Sequence, residues 1–199
     1  IVDEGDPFNE LLQTKSVNNL KSLNFFSKVD TEIINSENPN KKIINITVEE
    51  KPTGEIMAGA GVGTTGGTLA FGVSENNFLG RGIEFSSDLS VSSETLKGLI
   101  SINNPNYKGS NRSLNTSLES TITDHLANFG YKSNKTGFSL GSGFEFYDDL
   151  YWNTGISTYV EKLEADATAS ATMKKQEGSY FDTYFNQTFS YDKRNQRYK

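Results

Sequence analysis

The 199-residue sequence has no cysteine, a single histidine, four prolines and no apolar run long enough to form a membrane-spanning helix. Without cysteine there is no disulfide framework, zinc finger or iron–sulfur cluster. The one histidine, His125, sits in the polar stretch Asp124-His125-Leu126-Ala127-Asn128 and reads as a loop residue. It has no second histidine or thiol with which to build a metal centre, and no GxSxG elbow to pair with as a catalytic base. A transmembrane helix needs ~18 or more apolar residues in succession. The opening Ile1-Val2-Asp3-Glu4-Gly5 lacks the basic start and apolar stretch of a signal peptide, so any export signal is expected upstream. A net charge of -6 speaks against nonspecific binding to nucleic acid, and no run of like charge marks a polyelectrolyte tail. No catalytic residue, cofactor or metal site is expected.

Apolar residues are also scarce, at 34% against a usual ~45–50%. Disordered chains share that shortage but are poor in aromatics too, whereas here aromatics make up 12%. A membrane barrel reconciles the two, because one face of its wall meets lipid and the other a polar lumen.

The hydrophobic period changes near Lys51-Pro52-Thr53-Gly54. Before it, Asp6-Pro7 offers an N-cap and a first-turn proline. Leu11, Leu12, Val17, Leu20 and Leu23 then recur at helical spacing, which predicts an amphipathic helix from Pro7 to about Asn24. Strands are expected over Val29–Ile34 and Ile43–Val48, joined by the turn-rich Asn35-Ser36-Glu37-Asn38-Pro39-Asn40. The helix is expected to bury Leu12, Leu20 and Leu23 against Ile33, Ile44 and Ile46. A helix and a hairpin are too small to enclose a good core, which suggests that the start of this unit lies upstream.

After Gly54 the period is two. Ile83, Phe85, Leu89 and Val91 alternate with Glu84, Ser86, Asp88 and Ser90; Leu114, Leu118 and Ile122 with Asn115, Glu119 and Thr121; Phe138, Leu140, Phe144 and Phe146 with Ser139, Gly141 and Glu145. Trp152, Ile156 and Val160, then Phe181, Phe185 and Phe189, continue the series. Segments of ~10 residues with one apolar and one polar face are the signature of transmembrane strands. About eight are expected, at 54–63, 67–75, 82–93, 95–103, 112–123, 131–147, 150–163 and 180–192, with turns at Thr64-Thr65-Gly66-Gly67 and Asp148-Asp149 and a longer polar loop over Glu164–Ser179. A soluble antiparallel sandwich alternates as well, but here the strands are long and one face carries Glu, Asp or Asn almost throughout. Phe85, Leu89, Leu118, Phe144, Trp152, Ile156 and Phe185 are expected to face lipid, and Glu84, Asp88, Glu119 and Glu145 the lumen.

Gly61-x-Gly63-x-x-Gly66 matches the dinucleotide fingerprint, which needs a helix after its last glycine to hold a pyrophosphate. Here Gly67-Thr68-Leu69-Ala70-Phe71-Gly72-Val73 continues as a strand. The glycines at Gly59, Gly61 and Gly63 instead leave one face of the first strand bare, so that it packs weakly and admits another backbone.

The blocks around the junction resemble a known family. Gly5-Asp6-Pro7-Phe8-Asn9 and Ser22-Leu23-Asn24-Phe25-Phe26-Ser27-Lys28-Val29 are similar to the last POTRA domain of BamA proteins, with Asn24 where that family commonly has glycine. Val48-Glu49-Glu50-Lys51-Pro52-Thr53-Gly54-Glu55 resembles the passage into the first barrel strand, and Gly59-Ala60-Gly61-Val62-Gly63 the glycine-rich strand itself. Glu75-Asn76-Asn77-Phe78-Leu79-Gly80-Arg81-Gly82, Asn104-Pro105-Asn106-Tyr107 and Tyr191-Asp192-Lys193-Arg194-Asn195 resemble later elements, in family order.

The resemblance implies a mainly β fold: a transmembrane antiparallel β-barrel, partial at about eight strands, preceded by a truncated α+β POTRA domain. Residues 1–51 are expected to be the C-terminal part of that POTRA domain, in the periplasm. Residues 52–199 are expected to be the N-terminal half of a sixteen-stranded barrel in the bacterial outer membrane. The function implied is insertion and folding of outer-membrane proteins. The implied partners are outer-membrane lipid, unfolded outer-membrane protein substrates and periplasmic accessory lipoproteins, without nucleic acid, cofactor or enzymatic chemistry. A lateral seam is expected at Ile56, Ala58, Gly59, Ala60, Gly61, Val62 and Gly63. The alternatives are a related POTRA-barrel transporter of the two-partner secretion or TamA-like branches, a small closed barrel, with or without an enzymatic rim site, and a passive porin.

Overall fold

The computed structural model describes residues 5–38, 41–63 and 66–193. They fall into two units, one built chiefly from residues up to Thr53 and the other comprising Gly54–Asp192.

The first unit holds helix α1 (Glu10–Ser22) and an antiparallel hairpin of β1 (Phe26–Asn35) and β2 (Lys42–Glu50). The helix begins three residues later than its proline suggested. Asn9, not Asp6, is the cap. Its side-chain oxygen accepts from the amides of Leu11, at 2.9 Å, and Leu12, at 3.2 Å. At the other end Asn24 takes φ 60, the left-handed conformation that closes a helix and that glycine or asparagine adopts most readily. Asparagine holds this conformation with little strain. Across the hairpin Ile33 faces Ile44 and Thr31 faces Ile46, so the expected isoleucines do share one face. Burial is a different matter. Leu12, Leu23, Ile33 and Ile46 are exposed, Leu20 and Ile44 only half-buried, and no residue of α1 is fully buried. One helix on two strands lacks the material to enclose them.

The second unit is one antiparallel sheet of eight strands in sequence order. They are β3 (Gly54–Gly63), β4 (Gly66–Phe78), β5 (Ile83–Ser92), β6 (Thr95–Asn104), β7 (Arg112–His125), β8 (Tyr131–Tyr147), β9 (Leu150–Ala165) and β10 (Gly178–Tyr191). The bounds follow those expected from alternation, the largest difference being at the end of β4, Phe78 rather than residue 75. Every neighbour is antiparallel, so each connection needs only a turn or a short loop. Asp149, with φ 61, makes the tight turn between β8 and β9. Two connections expected as irregular loops contain short helices instead: α2 (Leu126–Phe129) between β7 and β8, and α3 (Ala171–Lys175) between β9 and β10. A serine N-cap starts the latter, with Ser170 accepting from the amide of Met173 at 3.2 Å. Pro39-Asn40, Thr64-Thr65 and Arg194-Asn195 lie outside the described residues.

Strands β3 and β10 are the two edges of the sheet, so the eight strands do not close on themselves. That removes the small closed barrel. Among the described residues no second layer covers either face, and the only buried apolar residue is Ala169. The accessible surface is 14558 Å². A soluble monomer of this size would expose roughly 9300 Å².

Candidate functional site

Strand register converts alternation along each strand into two continuous faces across the sheet. Phe71 stands opposite Leu89, Ile100 opposite Leu118, Leu118 opposite Phe138, Leu140 opposite Ile156, and Ile156 opposite Phe185. Phe144 faces Trp152, and Trp152 faces Phe189. Phe85 joins the same face opposite Ile102. All seven residues expected to meet lipid therefore lie on one surface, with Ile56, Ala58, Ala60 and Val62 at its β3 edge. Leu89, Leu118, Ile156 and Phe185 are exposed on it. Among its hydroxyls, Ser120 and Thr136 bond to one another at 3.0 Å, and Ser142 donates to the Ser113 carbonyl at 2.9 Å. At the end where β5, β7 and β9 begin, aromatic rings gather. Phe78 stacks on Phe85 at 5.4 Å, Phe144 meets Trp152 edge-on at 5.5 Å, and Trp152 stacks on Phe189 at 5.7 Å. Such belts mark the level of a membrane interface.

Glu84, Asp88, Glu119 and Glu145 occupy the opposite face. This surface is polar and internally bonded: Ser86 to Ser101 at 2.8 Å, Ser139 to Ser157 at 2.9 Å, and Asn103 to Glu84 at 2.9 Å. Alternation did not reveal its aromatic half. Tyr159 lies over Gly137, meets Tyr184 edge-on at 5.8 Å, and carries the Lys135 ammonium 4.4 Å from its ring centroid. Asn115 covers Gly141, and Asn153 covers Gly143, in the same way. Only the register shows a side chain crossing from one strand to fill a gap on the next.

The glycines of β3 are the reverse case. A methyl group added at Gly59, Gly61 or Gly63 would meet nothing within 4 Å. Beside them Gly59, Ala70 and Gly72 help to line a hollow of about 430 Å³. Every residue of β3 is exposed, with Ile56 at 86% and Val62 at 93%. The strand pairs with β4 from Gly54↔Glu75 to Gly63↔Gly66 and has no partner on its other side among the described residues. A free row of backbone donors and acceptors with little side-chain cover is the arrangement that accepts an added strand. Gly61, Gly63 and Gly66 belong to this hairpin and to no phosphate-binding turn, since β4 follows directly.

At the rim where β3, β5, β7 and β9 end, three connections knit together. His125, expected in a loop, is the last residue of β7, with its Nδ1 3.0 Å from a carboxylate oxygen of Glu94. No hydrogen bond forms across this contact. Glu94 also accepts from the Asn128 side chain at 2.6 Å, and the Asp166 amide donates to the Gly130 carbonyl at 2.8 Å. The Asp166 carboxyl is held below the usual range, first by the Thr168 hydroxyl and then by the Thr168 amide, both of which donate to it. Between β9 and β10 the chain turns over the polar face, where Met173, Gln176 and Tyr180 join Tyr131, Glu161 and Leu163 around a cavity of about 470 Å³.

The model of the Omp85 superfamily domain matches residues 77–199. The outer membrane protein assembly factor BamA of Nitratidesulfovibrio vulgaris is 23% identical over 201 aligned residues, which cover 96% of this chain and 24% of that protein. The crystal structure of BamA from Haemophilus ducreyi lacking POTRA domains 1–3 superimposes on all of this chain, with TM-score 0.78 and 20% identity, and the match takes in 41% of the solved chain. The chain thus spans about a quarter of the length of the curated relative. These likenesses place it in a bacterial outer membrane with a portion in the periplasm. With the family model covering more than half of its residues, and a sheet that is apolar on one face and polar on the other, the chain belongs to the Omp85 superfamily.

Proposed function

We propose that the chain is the seam-bearing half of a barrel that inserts and folds other outer-membrane proteins, in the manner its likeness to BamA suggests. The observation that carries the reading is the free, glycine-bared edge of β3. An unfolded outer-membrane protein, on this reading, pairs its own strand with the backbone of 54–63 by β-augmentation. Ile56, Ala58, Ala60 and Val62 offer the incoming strand only modest outward groups, while Gly59, Gly61 and Gly63 leave the inward side open. No bond is made or broken, so the step requires no catalytic group.

The remaining assignments follow from this frame. Residues 1–51 are the C-terminal part of a POTRA domain in the periplasm, and 52–199 belong to the barrel. Phe85, Leu89, Leu118, Phe144, Trp152, Ile156 and Phe185 face lipid. Periplasmic lipoproteins assist. Because the chain enters β3 from the periplasmic unit, the rim carrying Glu94, His125 and α3 is extracellular, and the turns at 79–82, 105–111 and 148–149 are periplasmic.

The test locks the seam. In the full-length protein, Ala58→Cys or Val62→Cys is paired with a cysteine in the last barrel strand. Oxidation should stop insertion of a client barrel and reduction should restore it. A locked seam with undiminished insertion would overturn the mechanism.

A further inference from the structure

On β7 the outward face reads Arg112, Leu114, Thr116, Leu118, Ser120, Ile122, Asp124, charged only at its two ends. About twelve residues of strand tilted by ~40° rise about 30 Å along the membrane normal, close to the thickness of the hydrocarbon layer. Leu118 then sits near the midplane, and Arg112 about 15 Å below it, where lipid phosphates begin.

The two ends differ in how their charges are matched. Toward the extracellular rim, outward charges pair with one another: Lys132 with Asp124 at 3.2 Å, and Lys162 with Glu164 at 2.6 Å. Arg112 has no carboxylate within 4.0 Å among the described residues. Its guanidinium carbon stands 5.4 Å from the centroid of the Phe144 ring, a cation–π contact that uses none of its five N–H donors. Phe144 leads into Trp152, and Trp152 into Phe146 at 6.3 Å and Phe189 at 5.7 Å, so an aromatic floor adjoins the cation. Lys108, exposed in the turn just before β7, adds a second positive charge at the same end.

From this geometry we infer that Arg112 anchors the phosphate of a phospholipid in the inner leaflet, with the acyl chains lying on the Phe144–Trp152–Phe189 surface. An arginine fork matches two phosphate oxygens at once. Held beside an aromatic ring, it loses less freedom on binding than a free side chain would. The anchor sets the depth of the β7–β10 side of the wall and gives that side a firm hold on the bilayer, opposite the edge at β3. It rests on the proposal that this face meets lipid.

The test uses the full-length protein in detergent, titrated with phosphatidylglycerol and read by native mass spectrometry. Arg112→Gln, which keeps the stem beside Phe144 and removes the charge, should weaken retention of one lipid about fivefold. Arg112→Lys should weaken it less, and diacylglycerol, which has no phosphate, should not be retained at this site. Millimolar inorganic phosphate should fail to displace the lipid, and displacement would mean that a free anion is the ligand. Equal retention by wild type and Arg112→Gln would overturn the anchor. Should Arg112→Gln not fold, salt decides: wild-type retention must fall as sodium chloride rises, and salt-independent retention refutes a phosphate contact. If Leu118→Arg proves costly while Arg112→Gln keeps its lipid, the anchor alone fails; if Leu118→Arg is harmless, the lipid face fails with it.

Discussion

Leu118→Arg probes the lipid face most directly. Leu118 lies at the middle of β7, between Ile100 and Phe138 on the apolar surface, and is 51% exposed. If lipid fills that exposed half, arginine there must carry its charge toward the bilayer midplane, at a cost of ~2–4 kcal/mol. A cost of ~3 kcal/mol shifts the folding equilibrium roughly 150-fold. The neighbouring Ser117 points to the polar face, between Ser101 and Ser139, where an added guanidinium stays in water. Ser117→Arg should therefore cost less than ~1 kcal/mol. Depth gives an internal control: Leu114→Arg and Ile122→Arg, nearer the interfaces, should fall to about 0–1 kcal/mol because the side chain can reach headgroups. The assay is reversible urea unfolding of the full-length protein in lipid vesicles, followed by tryptophan fluorescence. Equal costs at 117 and 118, or a flat profile from 114 to 122, would refute the assignment of faces and favour a soluble sheet.

Three further outcomes are expected. Amides from Ile56 to Val62 should exchange with deuterium faster than those from Phe85 to Val91, because among the described residues β3 has one partner strand and its inward face is bare from Gly59 to Gly63; equal protection in hydrogen-exchange mass spectrometry would count against a weak seam. Gly137→Ala should destabilise by ~1–3 kcal/mol in urea unfolding, since the new methyl group collides with the Tyr159 ring, whereas Gly59→Ala, in open space, should be neutral or stabilise by up to ~1 kcal/mol. The lowered carboxyl of Asp166 stabilises the loop before α3 when ionised, so that contribution is complete above the ordinary carboxylate range and is lost as pH falls through the depressed value. Protection of the Thr168 and Ala169 amides should drop there in wild type, and Asp166→Asn should abolish the pH dependence.

Period-two alternation made the strands and their two faces legible because it records what each residue meets across the wall, and a wall one residue thick has only two sides. Phe85 and Phe185 could be placed on a common surface without knowing which strands pair, and the register then joined them. The helix boundary was less legible. Asp6-Pro7 carries a reasonable start signal, yet Asn9 lies closer to the apolar run and wins the capping bond. Interactions between strands were not legible at all. Nothing in Gly137 distinguishes it from Gly59 until the register sets Tyr159 beside the one and nothing beside the other. The isolation of Arg112 likewise depends on where Asp148 and Glu145 do not reach. Short helices α2 and α3 escaped because four or five residues are too few to show a helical period.

On the proposed reading, the contrast between the two sets of glycines bears on how the β3 edge could serve many clients. In β8 glycine makes room for side chains from β7 and β9, so the strand is held by neighbours on both sides and by the packing that fills its gaps. In β3, Gly59, Gly61 and Gly63 make room for nothing that is present among the described residues. What remains on offer is backbone, whose hydrogen bonds carry affinity without reading side chains. A seam lined by large apolar groups would favour clients whose outward residues fit them, and would also be harder to open. A bare edge costs less to expose and discriminates less. On the proposed reading, filling the glycine face should therefore narrow the client range before it lowers the overall rate. Gly59→Val and Gly61→Val, alone and together, should slow insertion of client strands with bulky inward residues more than that of glycine-rich ones. Parallel insertion assays with two such clients measure the ratio. A uniform loss across both would mean that the glycines serve only to weaken the edge, and that selectivity lies elsewhere in the machine.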